Sequence, residues 1–265
     1  MSSISMSLVG MLFNLQLLKY AGENGVSAYG VMMYVSMIFT AIFVGYSIGS
    51  APVVSFHFGA CNHAELKSLL RKSLVLCGLC GFCMVLSGFL LADRISDLFV
   101  GYDPELQALT VHGFRIFSLS FAFIGFGIYS SGFFTALNDG LTSAIISFVR
   151  TLILESAAVL LLPRIFGIDG IWYSTVVSEL LAFFLGVVFL IAKRKKYHYL
   201  NQFCLLWLLT YVTNCCMIII DICQKGDAYA QTYQMSEDRT AAGLPELLPR
   251  RRVCSGKRPD DRGRI

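Results

Sequence analysis

Charge is scarce in this sequence. Of its 265 residues, 14% are Asp, Glu, Lys or Arg, against about 25% in an ordinary soluble domain. That scarcity excludes a typical cytosolic enzyme, a disordered regulator and a nucleic-acid-binding domain. Much of the charge lies at the far end: residues 224–265 hold nine of the 21 Lys and Arg and six of the 17 Asp and Glu. A regular cysteine framework is missing as well. The nine cysteines, at 61, 77, 80, 83, 204, 215, 216, 223 and 254, lack the spacing of a secreted disulfide scaffold. Those at 77, 80, 83, 215 and 216 sit inside apolar runs, where Cys behaves as a small hydrophobe. No basic residue precedes Lys19, so the opening apolar run has no positive leader and does not read as a signal peptide.

What is present is apolar: 56% of the chain. Six stretches suit a bilayer core, which takes about 20 helical residues: roughly 3–18, 30–56, 73–92, 116–137, 141–162 and 170–192. Loop chemistry separates them, at Ala21 to Gly25, Gly59 to Asn62, Asp103-Pro104, Asn138-Asp139-Gly140 and Pro163 to Gly170. The expectation is an all-α integral membrane protein, a six-helix transmembrane bundle over residues 1–200. Lys67, Arg71, Lys72 and the run Lys193-Arg194-Lys195-Lys196 fall on one face, so the positive-inside rule places that face, and the amino terminus with it, in the cytoplasm. Residues 201–223 contain a further uncharged run, 203–220, which could span, lie in the interface or fray. The tail 224–265 has mixed charge without a helical stripe and reads as disordered.

Two motifs have bland readings beside sharper ones. Cys77-Gly-Leu-Cys80-Gly-Phe-Cys83 resembles a cluster-binding run, but the fourth ligand position is Ser87. It reads better as a small-residue face, with Gly78 and Gly81, where another helix approaches. No metal and no cofactor is expected. Gly45 and Gly49, followed by Pro52, form a small-xxx-small pattern suited to close packing or to a bend.

Arg150, Glu155 and Glu179 are the informative residues, since each lies near the middle of its span. A charge there costs several kcal/mol unless paired, neutralised or hydrated. Five residues apart on an α-helix, Arg150 and Glu155 point to different sides, which leaves Arg150 to pair with Glu179 or, by a side-on reach, with Glu155. Such a group either exchanges a proton or cation in a polar cavity, or clamps the fifth and sixth helices together. Asn14 and Gln16 in the first span and Tyr129 in the fourth are softer cavity candidates. Ser118, Ser120, Ser130 and Ser131 are hydroxyls that can satisfy their own helix backbone. No span pairs His, Asp or Cys in an arrangement usable for catalysis, so an enzyme is not expected.

Several segments together carry a family resemblance. Gly22-Glu-Asn-Gly-Val-Ser-Ala-Tyr-Gly-Val31, Gly45-Tyr-Ser-Ile-Gly-Ser-Ala-Pro52 and Ser55-Phe-His-Phe-Gly-Ala60 resemble the seventh-to-eighth helix region of the multidrug and toxic compound extrusion (MATE) family, MepA-like branch. Phe133-Phe-Thr-Ala-Leu-Asn138, Ser147-Phe-Val-Arg150, Leu162-Pro163 and Gly167-Ile-Asp-Gly-Ile-Trp172 resemble its helices ten to twelve, and the basic run 193–196 its usual end. The resemblance covers roughly residues 1–200.

It implies multidrug efflux by secondary antiport: small cationic or lipophilic substrates leave as H⁺ or Na⁺ enters. Family members have twelve helices in two lobes; this chain resembles the C-terminal lobe only. It would therefore need a missing N-terminal lobe or a second copy, would sit in a bacterial inner membrane, and would not be active alone. The acidic ion-site residues that some members carry on helices seven and ten have no counterpart in 3–18 or 116–137. Two alternatives stand beside this: an inactive truncated membrane fragment, and a flippase of the same superfamily acting on lipid-linked sugars.

Overall fold

The computed structural model describes residues 2–197, 199, 206–208, 210, 211, 213, 214 and 217, which fall in one compact unit, Met1–Ile219. The tail expected to be disordered, 224–265, lies outside the described residues. Every element among those described is helical: α1 (Ser2–Gly59), α2 (His63–Val100), α3 (Pro104–Ser118), α4 (Phe121–Ala136), α5 (Gly140–Phe148), a π-helical segment (Val149–Leu154), α6 (Glu155–Leu161) and α7 (Pro163–Tyr197). Four stretches are long and apolar enough to cross a bilayer: Ile4–Gly59, His63–Val100, Gly140–Leu161 and Pro163–Arg194. The α3–α4 pair, bent by 46°, makes a fifth.

α1 cannot be a single rod. At 58 residues a straight helix would run about 87 Å, nearly three times the hydrocarbon thickness of about 30 Å. The backbone leaves the helix at Gly22, with φ 62° and ψ −153°, a region essentially restricted to glycine. There the chain doubles back. Phe13 and Tyr29 stack with ring centroids 4.9 Å apart, although 16 residues of unbroken helix would separate them by about 24 Å. A Cβ on Gly25 would lie 3.5 Å from the Leu17 carbonyl oxygen.

The same device recurs within α7. Gly167 has φ 62° and ψ −134°, and a Cβ on Gly170 would come within 2.5 Å of the Leu162 oxygen. Both reversals share one spacing: Leu, then five residues on the turning glycine, then three residues on a second glycine. The stretches expected as loops at 21–25 and 163–170 are therefore helix reversals, each turned at one torsion, rather than open connections. The expected spans 3–18 and 30–56 fall on the two limbs of α1, 73–92 on α2, 116–137 on the bent α3–α4 pair, 141–162 on α5 through α6, and 170–192 on α7.

Shorter connections end in side-chain caps. Asn62 accepts from the Glu65 amide at 3.2 Å, Asp103 from those of Glu105 and Leu106 at 3.0 and 3.4 Å, and Asp139 from that of Thr142 at 3.3 Å. Each such cap contributes about 1 kcal/mol. Asp103 is followed by Pro104 at the first helical position, where its missing amide hydrogen costs nothing.

α4 is the hub and packs on α1, α2, α5 and α7; Phe121, Phe123, Phe126, Phe133 and Phe134 are all buried. Around it the outer faces are greasy, with Met37, Ile48, Phe56, Leu90 and Val188 exposed, as befits helices solvated by acyl chains. Lipid supplies no hydrophobic drive between helices, so close approach must hold the bundle. The Cys77–Cys83 run does this. A Cβ on Gly81 would lie 3.0 Å from the Phe121 oxygen of α4, and Gly78 faces the Trp207 ring. Tyr211 donates to the carbonyl of Ala122 at 3.1 Å and stacks on Trp207. Trp207 and Tyr211 of the extra apolar segment thus pack on α2 and α4. Gly45 and Gly49 differ: a Cβ on either would meet nothing within 4 Å. Both face outward and keep helical torsions, as does Pro52, and the break in α1 falls at Gly22 instead.

Candidate functional site

The α5–α6 crossing changes hydrogen-bond register in its middle, becoming π-helical over Val149–Leu154. Such segments are rare and cluster at functional positions. This one carries Arg150. Its guanidinium meets Glu179 of α7 through three contacts: Nε donates to Oε2 at 3.0 Å and to Oε1 at 3.2 Å, and one terminal nitrogen donates to Oε1 at 2.8 Å. The side chains are only 15% and 9% exposed. A fork-on-fork pair of this kind is the strong form of charge-assisted bond.

Gly127 of α4 makes room for it. A Cβ there would lie 3.0 Å from Arg150 Nε and 3.1 Å from Cδ. No pattern in the residues marks this role, because α4 is apolar nearly all round and has no stripe to orient it.

Of the two partners open to Arg150, Glu179 is the one it takes. Glu155 is half-buried and makes no hydrogen bond or ion pair among the described residues, yet it lies within electrostatic reach of Arg150, Glu179 and Tyr29. On an α-helix a separation of five would turn Arg150 and Glu155 apart. Here the intervening turn is π-helical, and Glu155 follows it without contacting Arg150, which bonds Glu179 instead.

The softer candidates do not join them. Asn14 is exposed and lines an open groove of about 770 Å³ between the two limbs of α1, with Glu23 and Ser27. Gln16 is half-buried on the same limb. Tyr129 is fully buried among aromatics, its ring 5.9 Å from Tyr46 and 6.0 Å from Phe133. Two residues along from Gly127, it points away from Arg150. Ser118 and Ser120 bond their own backbone, at 2.6 and 2.7 Å. Ser131 does more: it bridges Ser143 at 2.9 Å and Ser147 at 2.7 Å, and Thr135 adds 2.7 Å to Ser143. These hydroxyls zip α4 to α5.

Polar side chains lock the two ends of the bundle. At one, Asp139 accepts from Tyr197 at 2.9 Å and pairs with Lys193 at 3.3 Å. Partial burial alone would raise its carboxyl, but hydrogen bonds from Thr142, Tyr197 and Lys193 prevail and hold it at about 2. The Phe58–Tyr197 ring contact brings the end of α1 to this same end. At the other, His112 Nε2 lies 3.0 Å from Asp169 Oδ1, and Arg115 donates to both oxygens of Asp93 at 3.1 Å. Partners 57 and 58 residues apart in the chain left no local pattern to read.

Fold and site together define an all-helical integral membrane protein that keeps a buried ion pair between two of its crossings. The MatE family model matches residues 1–158. The chain belongs to the MatE family. It is 21% identical over 193 residues to the multidrug export protein MepA of Staphylococcus haemolyticus (strain JCSC1435), a match covering 73% of this chain and 42% of that protein. Among solved structures it resembles an inward-facing multidrug resistance MATE transporter of the MOP superfamily (TM-score 0.70, 19% identity, 74% of this chain and 46% of that one). It also resembles an outward-facing one (TM-score 0.67, 20% identity, 73% and 45%). The chain thus spans less than half the length of the relatives it matches.

Proposed function

We propose that this chain is the C-terminal-type lobe of a multidrug efflux antiporter, moving small cationic or lipophilic compounds outward as H⁺ or Na⁺ enters. Its place is the bacterial inner membrane, with the amino terminus and the Lys193 end in the cytoplasm. The carrying observation is the Arg150–Glu179 pair with Glu155 one π turn away, a buried acidic group in a lobe-sized MatE chain. An intramembrane acid of that kind is a candidate for ion coupling. The groove walled by Asn14 is where we place substrate contact. The outward-facing Gly45–Gly49 stripe is where we place a first lobe or a second copy.

Transport by this chain requires that completion, because parallel repeats build the pathway between two such units. The test is export of ethidium from cells carrying the chain alone, the chain with a co-expressed first lobe, or a covalently linked tandem of two copies. Export in the completed forms, lost with Glu179→Gln when counted per inserted molecule and still lost in the Arg150→Gln/Glu179→Gln double variant, is the expected result. Well-inserted completed forms that export nothing would favour the inactive fragment.

A further inference from the structure

Between the buried charges and the Asp169 end of the bundle runs a line of polar atoms that protein does not satisfy. Thr175 is 7% exposed and Trp172 1%, yet Thr175 Oγ1 and Trp172 Nε1 have no hydrogen-bond partner among the described residues, and neither has Ser156 Oγ beside Glu155. On α7, positions 172, 175 and 179 share one face. The Trp172 ring lies against Gly113 of α3, where a Cβ would come within 2.8 Å of it. The neighbouring His112 holds Asp169 at the surface, with side chains 30% and 24% exposed. The titratable and charged groups round this interior are Tyr29 of α1, His112 of α3, Arg150, Glu155, Asp169 and Glu179.

Spacing decides what could satisfy these atoms. Along α7 the steps 169 to 172, 172 to 175 and 175 to 179 rise about 4.5, 4.5 and 6 Å. One water making two hydrogen bonds of about 2.8 Å bridges about 5.6 Å. These are rises between backbone positions, so one or a few waters fit each step, and buried polar groups without protein partners are where internal water is held. Toward the Asp139 end Tyr129 Oη, Thr142 Oγ1 and His57 Nδ1 also lack partners among the described residues, but they sit on α4, α5 and α1, away from the α7 face that carries Trp172, Thr175 and Glu179. Beyond Glu179, Ala182, Phe183 and Leu190 are buried and apolar, while Ser131, Ser143, Ser147 and Thr135 satisfy one another.

We propose that internal waters bound at Trp172 Nε1, Thr175 Oγ1 and Ser156 Oγ give Glu155 and Glu179 one-sided proton access from the Asp169 end, with His112 and Asp169 as the mouth. The use of this access in transport rests on the coupling role proposed above; the hydration does not.

Radiolytic hydroxyl-radical footprinting of the full chain in nanodiscs tests it, because radicals form from bound water at the site. Trp172 should be oxidised at a rate approaching that of exposed Tyr102, despite its burial. Thr175→Val should lower that rate several-fold, and Thr175→Ser, which keeps the hydroxyl, should preserve it. A Trp172 as inert as wholly buried Phe123, or labelling indifferent to Thr175→Val, would overturn the water file. Ethidium export by the linked tandem is scored separately. Its absence with Trp172 still labelled would sink the transport reading and leave the water file standing.

Discussion

Gly127 of α4 lies directly against the Arg150 guanidinium at the level where that group forks onto Glu179. Three crossings meet at this point: one contributes no side chain, one a cation and one a carboxylate. The cation can lie flat against the α4 backbone only because position 127 has no Cβ, and the carboxylate fixes its far side.

A methyl group at 127 should therefore act on the pair. Gly127→Ala would press on Nε and Cδ, which Glu179 prevents from moving, and should cost about 1–3 kcal/mol, the usual range for overpacking. Thermal unfolding in detergent would show it. In an Arg150→Met background the same change should cost much less.

Removing one partner of the pair should hurt more than removing both. Glu179→Gln leaves a largely buried guanidinium uncompensated, at a cost of about 3–5 kcal/mol. Adding Arg150→Gln should recover most of it. Melting temperatures of the two single variants and the double variant, compared as a cycle, measure the coupling. Equal and additive losses would show that the pair is not coupled.

Asp139 should give the protein an acid-sensitive joint. Its carboxyl is depressed from an ordinary 3.8 to about 2 by its donors. The folded chain thus binds that proton more weakly than the unfolded chain. The stabilisation is fully present above about pH 4 and is lost as pH falls through about 2. Asp139→Asn should flatten stability against pH in that window, and stability curves of the two forms that stay parallel there would contradict the assignment.

Gly22→Ala and Gly167→Ala should each destabilise by about 1–3 kcal/mol, since both positions hold torsions that side chains avoid. Chemical denaturation of each variant is the measurement. Gly10→Ala, at a position with open space and ordinary helical torsions, is the control expected to be neutral or slightly stabilising.

How much of this was legible in the sequence follows from the kind of signal each feature leaves. Apolar runs are long-range averages, so the crossings could be placed without knowing any contact. Arg150 and Glu179 stood out because a charge inside such a run is expensive wherever it points. The π segment left no signal, since it is a register choice made by packing, and so the sequence left two partners open to Arg150. The aromatic surroundings of Tyr129 were not legible, because a helix with apolar residues on every side does not reveal which face a tyrosine takes. Gly45 and Gly49 show the converse problem: their spacing suits a close approach, but spacing alone does not say whether the approaching helix belongs to the same chain.

The paired reversals at Gly22 and Gly167 have a practical corollary for anyone engineering this protein. With Gly25 against Leu17 and Gly170 against Leu162, neither turn has slack to pay out, so an epitope, fluorophore or protease site inserted there would pry apart the two limbs it joins. Ala60 and Cys61, and Gly101 and Tyr102, are exposed positions in true turns and are the places to cut, tag or tether.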